Sequence, residues 1–244
     1  MNYKCLFIKL TFALSLLLTQ CTDDLIHIEG SGDPESETLE LDEFTSIHLK
    51  GVEDVIINWG PVQKVEVYGN PNIIRMIRAD VRDQKLILRL KDGHYRNYEL
   101  KYIITLPRLN EINNEGLARV VVNDFINTGD LDLVVSGAGK IELNRMENTA
   151  HLGVQIEGLG LIKGYGEFPD LDKLDIHISG SGSFLGFPIE SNTCTINIEG
   201  TGKCEVNVRE QLDVVIEGAG MVHYYGNPVI SKSIKGLGSV VNSN

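Results

Sequence analysis

The chain has 244 residues, with 34 Asp and Glu against 22 Lys and Arg and a formal net charge of −12. That balance disfavours nucleic acid and anionic lipid surfaces as partners, because both are bound through clustered positive charge and no basic cluster interleaved with aromatics occurs. The 6 histidines and 4 cysteines show no zinc spacing, and neither Gly-x-Ser-x-Gly nor His-Glu-x-x-His is present, so no metal site and no cofactor is expected.

At the N-terminus Lys4 and Lys9 form a positive region ahead of an apolar stretch, residues 10–18, which is too short to span a bilayer. Leu18-Thr19-Gln20-Cys21 then has the form of a bacterial lipobox, with residues 1–20 as the signal peptide and Cys21 as the lipidated first residue of the mature chain. An ordinary secretory signal beside a chance cysteine is the alternative. Removing residues 1–20 takes away two lysines and no acids, leaving 20 basic against 34 acidic residues, or −14. Acyl chains on Cys21 would tether the protein to a membrane without spanning it, each buried methylene contributing about 0.8 kcal/mol. Residues 21–40 hold Thr22-Asp23-Asp24 and the polar run 30–37, and read as a flexible acidic tether.

A β-rich domain follows over residues 41–244. Its first part, 41–109, is irregular, with strands expected at 44–50, 55–59, 62–68, 85–90 and 98–106. One short helix is expected over 70–77, with Asn70 as N-cap and Pro71 in the first helical position, and Lys91-Asp92-Gly93 marks a turn.

From residue 110 a repeat takes over. Gly-x-Gly follows an apolar-alternating strand at Gly137, Gly158, Gly180, Gly200, Gly218 and Gly236, spaced 21, 22, 20, 18 and 18 residues apart, and Glu115-Gly116-Leu117-Ala118 is a degenerate earlier copy. Two residues before each first glycine stand Val135, Ile156, Ile178, Ile198, Ile216 and Ile234. Four before stand Leu133, Val154, Ile176, Ile196, Val214 and Lys232. Two apolar columns around a mixed one are the period-2 signature of strands with one buried face. Rungs of about 20 residues with glycine corners predict an all-β parallel β-helix, or solenoid; an antiparallel meander is the competing fold. Lys232 breaks its column as expected where a solenoid ends. Cys194 and Cys204 share the parity of core residues. An oxidising envelope would permit a disulfide between them, while a buried position suits two free thiols.

These segments carry a resemblance. Phe44-Thr45-Ser46-Ile47-His48-Leu49-Lys50-Gly51, Asp54-Val55, Val65-Glu66-Val67, Gly69-Asn70, Leu106-Pro107-Arg108-Leu109 and the repeated Ser-Gly-x-Gly and Glu-Gly-x-Gly strands resemble the head GIN domain family, the DUF2807-type adhesin-like lipoproteins of Bacteroidetes. The resemblance runs over roughly 38–240. It implies a right-handed parallel β-helix-like fold and an envelope location, and it brings no catalytic residue.

Candidate chemistry is sparse. Gly-x-Gly is not a nucleotide fingerprint here, because a strand rather than a helix follows. Glu199 and Glu217 precede the glycines of consecutive copies and could share a cation, against a solvated corner as the alternative. Asp132, Asp175 and Asp213 form an interrupted acidic column five residues before the glycines, and Asp175 shares a face with His177, an Asp/His pair of the kind used in acid–base work or an ordinary surface pair. Asp175, His177, Glu199 and Glu217 are the binding-face candidates. The sequence favours a non-catalytic envelope lipoprotein on the outer membrane, surface-exposed, that binds a glycan or an envelope or host protein. A carbohydrate-active β-helix enzyme and a periplasm-facing structural or envelope-stress component are the alternatives.

Overall fold

The protein is described from a computed structural model, which covers residues 27–126 and 129–244. The signal segment and Cys21 lie outside these residues. The chain is a parallel β-solenoid built on two strand columns and a third, less regular side. Face A stacks Ser46–Leu49, Glu111–Asn114, Leu131–Val135, His151–Gly158, Lys173–Gly180, the segments 193–200 and 211–218, and Val229–Gly236, each parallel to the next. Face B stacks Asp54–Trp59, Arg119–Val122, Lys140–Leu143, Leu161–Gly164, the segments 183–185 and 203–207, Met221–Tyr225 and Ser239–Asn242. The meander is therefore excluded for the repeat.

Each copy in the sequence is one coil: a face A strand, the Gly-x-Gly corner, then a face B strand. The two glycines are needed for different reasons. Gly180 and Gly200 adopt φ of +119° and +122°, which side chains rarely tolerate. At Gly202 the backbone is ordinary, but a Cβ would stand 2.5 Å from Ile178 Cγ2 in the core of the coil below. Corner amides bond to the glycine carbonyls of the previous coil, as in Thr201 N–H to Gly180 O at 2.8 Å and Lys203 N–H to Gly182 O at 3.1 Å.

Both apolar columns point inward and are buried as expected up to residue 216, Ile156, Ile178, Ile198 and Ile216 completely, while Lys232 and Ile234 of the last copy are exposed. The third side closes the core with Phe125, Met146, Phe168, Ile189 and Val208. It shortens along the chain, from residues 165–172 between two strands to residues 226–228, so the last coils are narrower. Asn58, Asn123 and Asn144 form an amide ladder across successive coils, with Asn123 Nδ2 donating to Asn58 Oδ1 at 2.7 Å and Asn144 Nδ2 to Asn123 Oδ1 at 3.2 Å. Cys194 and Cys204 are buried free thiols, and burial pushes both well above the usual thiol range. Neither is expected to react with a thiol reagent in the native protein; peptide mapping after alkylation should find them modified only once denaturant is added.

The N-terminal part departs from the sequence reading in four places. The coil begins below residue 110, because Ser46–Leu49, Gly51 and Asp54–Trp59 sit in register beneath Glu111–Asn114 and Arg119–Val122. Residues 27–40, expected as a tether, hold two strands: His27–Glu29 pairs with His94–Arg96, and Glu35–Leu39 pairs antiparallel with Lys64–Gly69. The backbone of Lys64–Gly69 supplies the partner that an acidic segment lacks alone. The helix is only Pro71–Ile74, and Asn70 does not cap it through its side chain. Instead the Asn70 amide clamps two other segments, accepting from Glu99 N–H at 2.8 Å and donating to Gly32 O at 2.9 Å. Finally, Ile77–Arg82 is a strand, hairpinned to Lys85–Leu90 through Asp83 and Gln84, both at positive φ.

These pieces, antiparallel except for the parallel pair His27–Glu29 and His94–Arg96, close the N-terminal end of the core over Ile73 and Ile74. One charge is buried with them: the Glu53 carboxylate folds back against Gly51, 8% exposed, with Tyr95, Tyr98 and Tyr102 near it. Burial raises Glu53 above its usual 4.5, while its own and the Val52 N–H oppose the shift. A folded-state pKa above the unfolded one favours the fold only below about 4.5 and costs stability as pH rises past it. Glu53→Gln is therefore expected to melt higher than the native chain at pH 7, with the gap closing as the pH falls to 4; calorimetry across that range is the check.

Candidate binding face

The outward residues of face A form rows along the solenoid axis, because strand register repeats from coil to coil. One row runs Glu111, Asp132, Gly153, Asp175, Thr195, Asp213. The next runs Asn113, Val134, Gln155, His177, Asn197, Val215. Where the first row carries Gly153, the surface is open, and a depression of about 600 Å³ is lined by Glu111, Asp132, Val134, His151, Asp175, His177 and their neighbours. The Asp132 carboxylate leans across it: a Cβ on Gly153 would stand 2.2 Å from Asp132 Oδ1.

Asp175 and His177 both lie in this depression, but they are not a pair. Asp175 Oδ2 instead accepts from Lys173 Nζ at 2.5 Å and meets His151 Nε2 at 3.0 Å. Partial burial pushes Asp175 up, yet the bonds from Lys173 and His151 outweigh it and hold the carboxyl below its usual 3.8. An anionic, ion-paired Asp175 has no proton to give near neutrality and does not orient His177, so in place of the Asp/His pairing that the sequence offered as one of two readings stands an Asp175–Lys173–His151 cluster. Lys173 and His151 occupy the row seven residues before each first glycine. That row was legible; the diagonal reach of His151 to the next coil was not.

Glu199 and Glu217 are direct register partners, as their spacing implied. The charge of Glu217 is met by Lys235 on the next coil, at 2.8 Å, and the hydrogen bond from that ammonium draws its pKa below the usual range. They stand at the corner, one row beyond the depression, and are not among its lining. Beside them Ser181 Oγ and Thr201 Oγ1 are 2.8 Å apart. Among the described residues no group of three or more His, Cys, Asp or Glu is placed to hold a metal ion.

Face B carries a different feature. The Glu142 side chain, 7% exposed, is held by Arg119 at 2.5 Å, Lys140 at 2.6 Å and the Tyr165 hydroxyl at 3.1 Å. Burial alone would raise its pKa; these three donors reverse the direction and keep it ionised. With every strong acceptor engaged, this cluster joins coils rather than offering a site.

The family model described as "Putative auto-transporter adhesin, head GIN domain", DUF2807, matches residues 43–228. The chain belongs to this family. No curated protein matches it. Among solved structures, a "putative adhesin" from Bacteroides fragilis is 26% identical, with 88% of this chain and 99% of that chain covered and a TM-score of 0.80. A "putative adhesin" from Parabacteroides merdae is 20% identical, covering 89% and 99% with a TM-score of 0.69. A "Putative lipid binding protein" from Parabacteroides distasonis is 21% identical, covering 90% and 100% with a TM-score of 0.70. The latter two share the fold. Among the described residues no helix of this head GIN chain is long and apolar enough to cross a membrane.

Proposed function

We propose that this head GIN protein is a non-catalytic lipoprotein of the outer membrane, anchored through Cys21 and displayed at the cell surface, which binds a neutral glycan along face A. The observation that carries the reading is the open depression at Gly153, which carboxylate, imidazole and amide groups line from three adjacent rows of several coils. Planar acceptors and donors of this kind suit the paired hydroxyls of a sugar, and the acidic row disfavours an anionic polymer. The adhesin names carried by the family and by the Bacteroides fragilis structure support a binding role. The lipobox ending in Cys21 supports the anchor. Loss of the Asp175–His177 pairing argues against the enzymatic alternative. Glu199 and Glu217 then serve as a flanking charged rim.

Three measurements test it. Protease shaving of intact cells should remove a C-terminal epitope while a periplasmic lipoprotein survives, and Cys21→Ser should release the protein from the membrane fraction. A glycan array should then show retention of the native protein that is lost in Asp175→Asn and His177→Ala. Protection of the epitope until the outer membrane is broken, or retention of protein ligands alone, would overturn the reading.

A further inference from the structure

The two ends of the solenoid are built differently. At the N-terminal end the outermost strands are antiparallel additions. One of them, Glu35–Leu39, presents Glu35 and Glu37 on an exposed edge, a charge pattern that discourages further pairing. At the C-terminal end Val229–Gly236 pairs on one side with 211–218, and its other edge meets no strand among the described residues. Every residue of this strand is exposed. Ile230 and Ile234 continue the columns of Leu212 and Ile216, which are 0% exposed, yet they are themselves 37% and 36% exposed. Leu237 at the last corner is 91% exposed.

Residues 243–244 do not cover this edge. Ser243 N–H bonds to Tyr224 O, and the Asn244 amide closes on both the N–H and C=O of Gly226, so residues 243–244 stay on face B beside the coil below. Between Ile230 and Ile234, in the interior column of Val214, stands Lys232. Among the described residues its ammonium has no carboxylate partner; the neighbouring Glu217 is taken by Lys235.

We propose that this edge is a strand-addition site for an extended segment of a partner polypeptide, one that carries an acidic residue over Lys232 and apolar residues two positions to either side, over Ile230 and Ile234. The backbone groups of Val229–Gly236 supply the pairing, as in any β-augmentation, and the inward row supplies selectivity through one charge between two apolar contacts. The same lysine excludes a second copy of this chain. In an antiparallel pairing of two such strands, inward residues face inward residues, so Lys232 meets Ile230, Lys232 or Ile234 of the copy. Each choice covers an ammonium without a counter-charge. The site lies away from the depression on face A and does not depend on its ligand.

The test uses the full chain in detergent with two labelled synthetic peptides, Thr-Thr-Val-Thr-Glu-Thr-Val-Thr-Thr and the same sequence with Lys in place of Glu. Fluorescence anisotropy should show the Glu peptide binding at least about tenfold tighter. Lys232→Glu should reverse that order, and Asp175→Asn should leave it unchanged. Hydrogen exchange should show amides in 229–236 protected by the Glu peptide. Lys232→Ile, which restores the apolar column, should self-associate by light scattering where the native chain stays monomeric. Equal binding of both peptides, binding of neither, or a native dimer with 229–236 protected would each overturn the proposal.

Discussion

Gly200→Val is expected to lower stability by about 3 kcal/mol or more, a large part of the ~5–15 kcal/mol that holds most domains folded. Gly200 sits at φ +122°, in a region where a β-branched side chain is strained whatever space surrounds it. Space is lacking too. A Cβ there would stand 2.5 Å from Gly180 O and 3.2 Å from Gly180 C, and these are backbone atoms that cannot rotate aside. Gly180 O is moreover pinned by the Thr201 N–H at 2.8 Å, so relief would break the corner ladder between two coils. The neighbouring position gives the control. Thr201 is exposed and its hydroxyl reaches only Ser181, so Thr201→Ala should change the denaturation midpoint little. Since each coil touches only its neighbours, the damage should also be local: hydrogen exchange in Gly200→Val should rise in 200–244 before it rises in 111–160. An unchanged midpoint in urea would show that the corner is far more pliable than its geometry implies.

The same corner shows why so much of the solenoid was legible. A repeat writes one local solution many times, and six Gly-x-Gly copies expose both its period and its buried parity. The rows of face A follow from that alignment alone, and Asp132, Asp175 and Asp213 indeed share one line across the coils. The illegible parts are those used once. The turn at Asp83–Gln84 reaches left-handed backbone without glycine, so the sequence carries no hairpin signal there: the helix expected over 70–77 takes in Ile77, and no strand is expected over 78–82. Asn70 stands before a proline in a cap-like position, but two distant backbone groups, on Gly32 and Glu99, claim its amide. Within the candidate site, parity placed Asp175 beside His177, whereas its carboxylate turns the other way to Lys173 and to His151 one coil below. Row membership follows from period. The choice of partner depends on side-chain length and on which charges lie diagonally across coils, and that emerges only when the coils are stacked.

Phe184→Ala is expected to cost about 4 kcal/mol, because it empties a fully buried ring site in the face B core. The interior column there runs Val120, Ile141, Ile162, Phe184, Cys204, Val222, with a single ring among aliphatic and thiol side chains, all fully buried. Cys204, stacked on it, is too small to fill the gap, and the ladders on both sides prevent the coils from closing in. The ring has its own provision in the chain: a Cβ on Gly186 would stand 2.2 Å from Phe184 Cε1 and 2.6 Å from Cζ. Phe184 and Gly186 therefore act as one unit, and their substitutions should not add. Gly186→Ala alone should destabilise, since the ring has nowhere to move; in the Phe184→Leu background the same methyl group meets a smaller side chain and should cost clearly less. Urea denaturation of the two single variants and the double variant measures that coupling. Strict additivity would mean that the ring does not depend on the missing side chain at Gly186, and that this coil tolerates a larger core than its packing suggests.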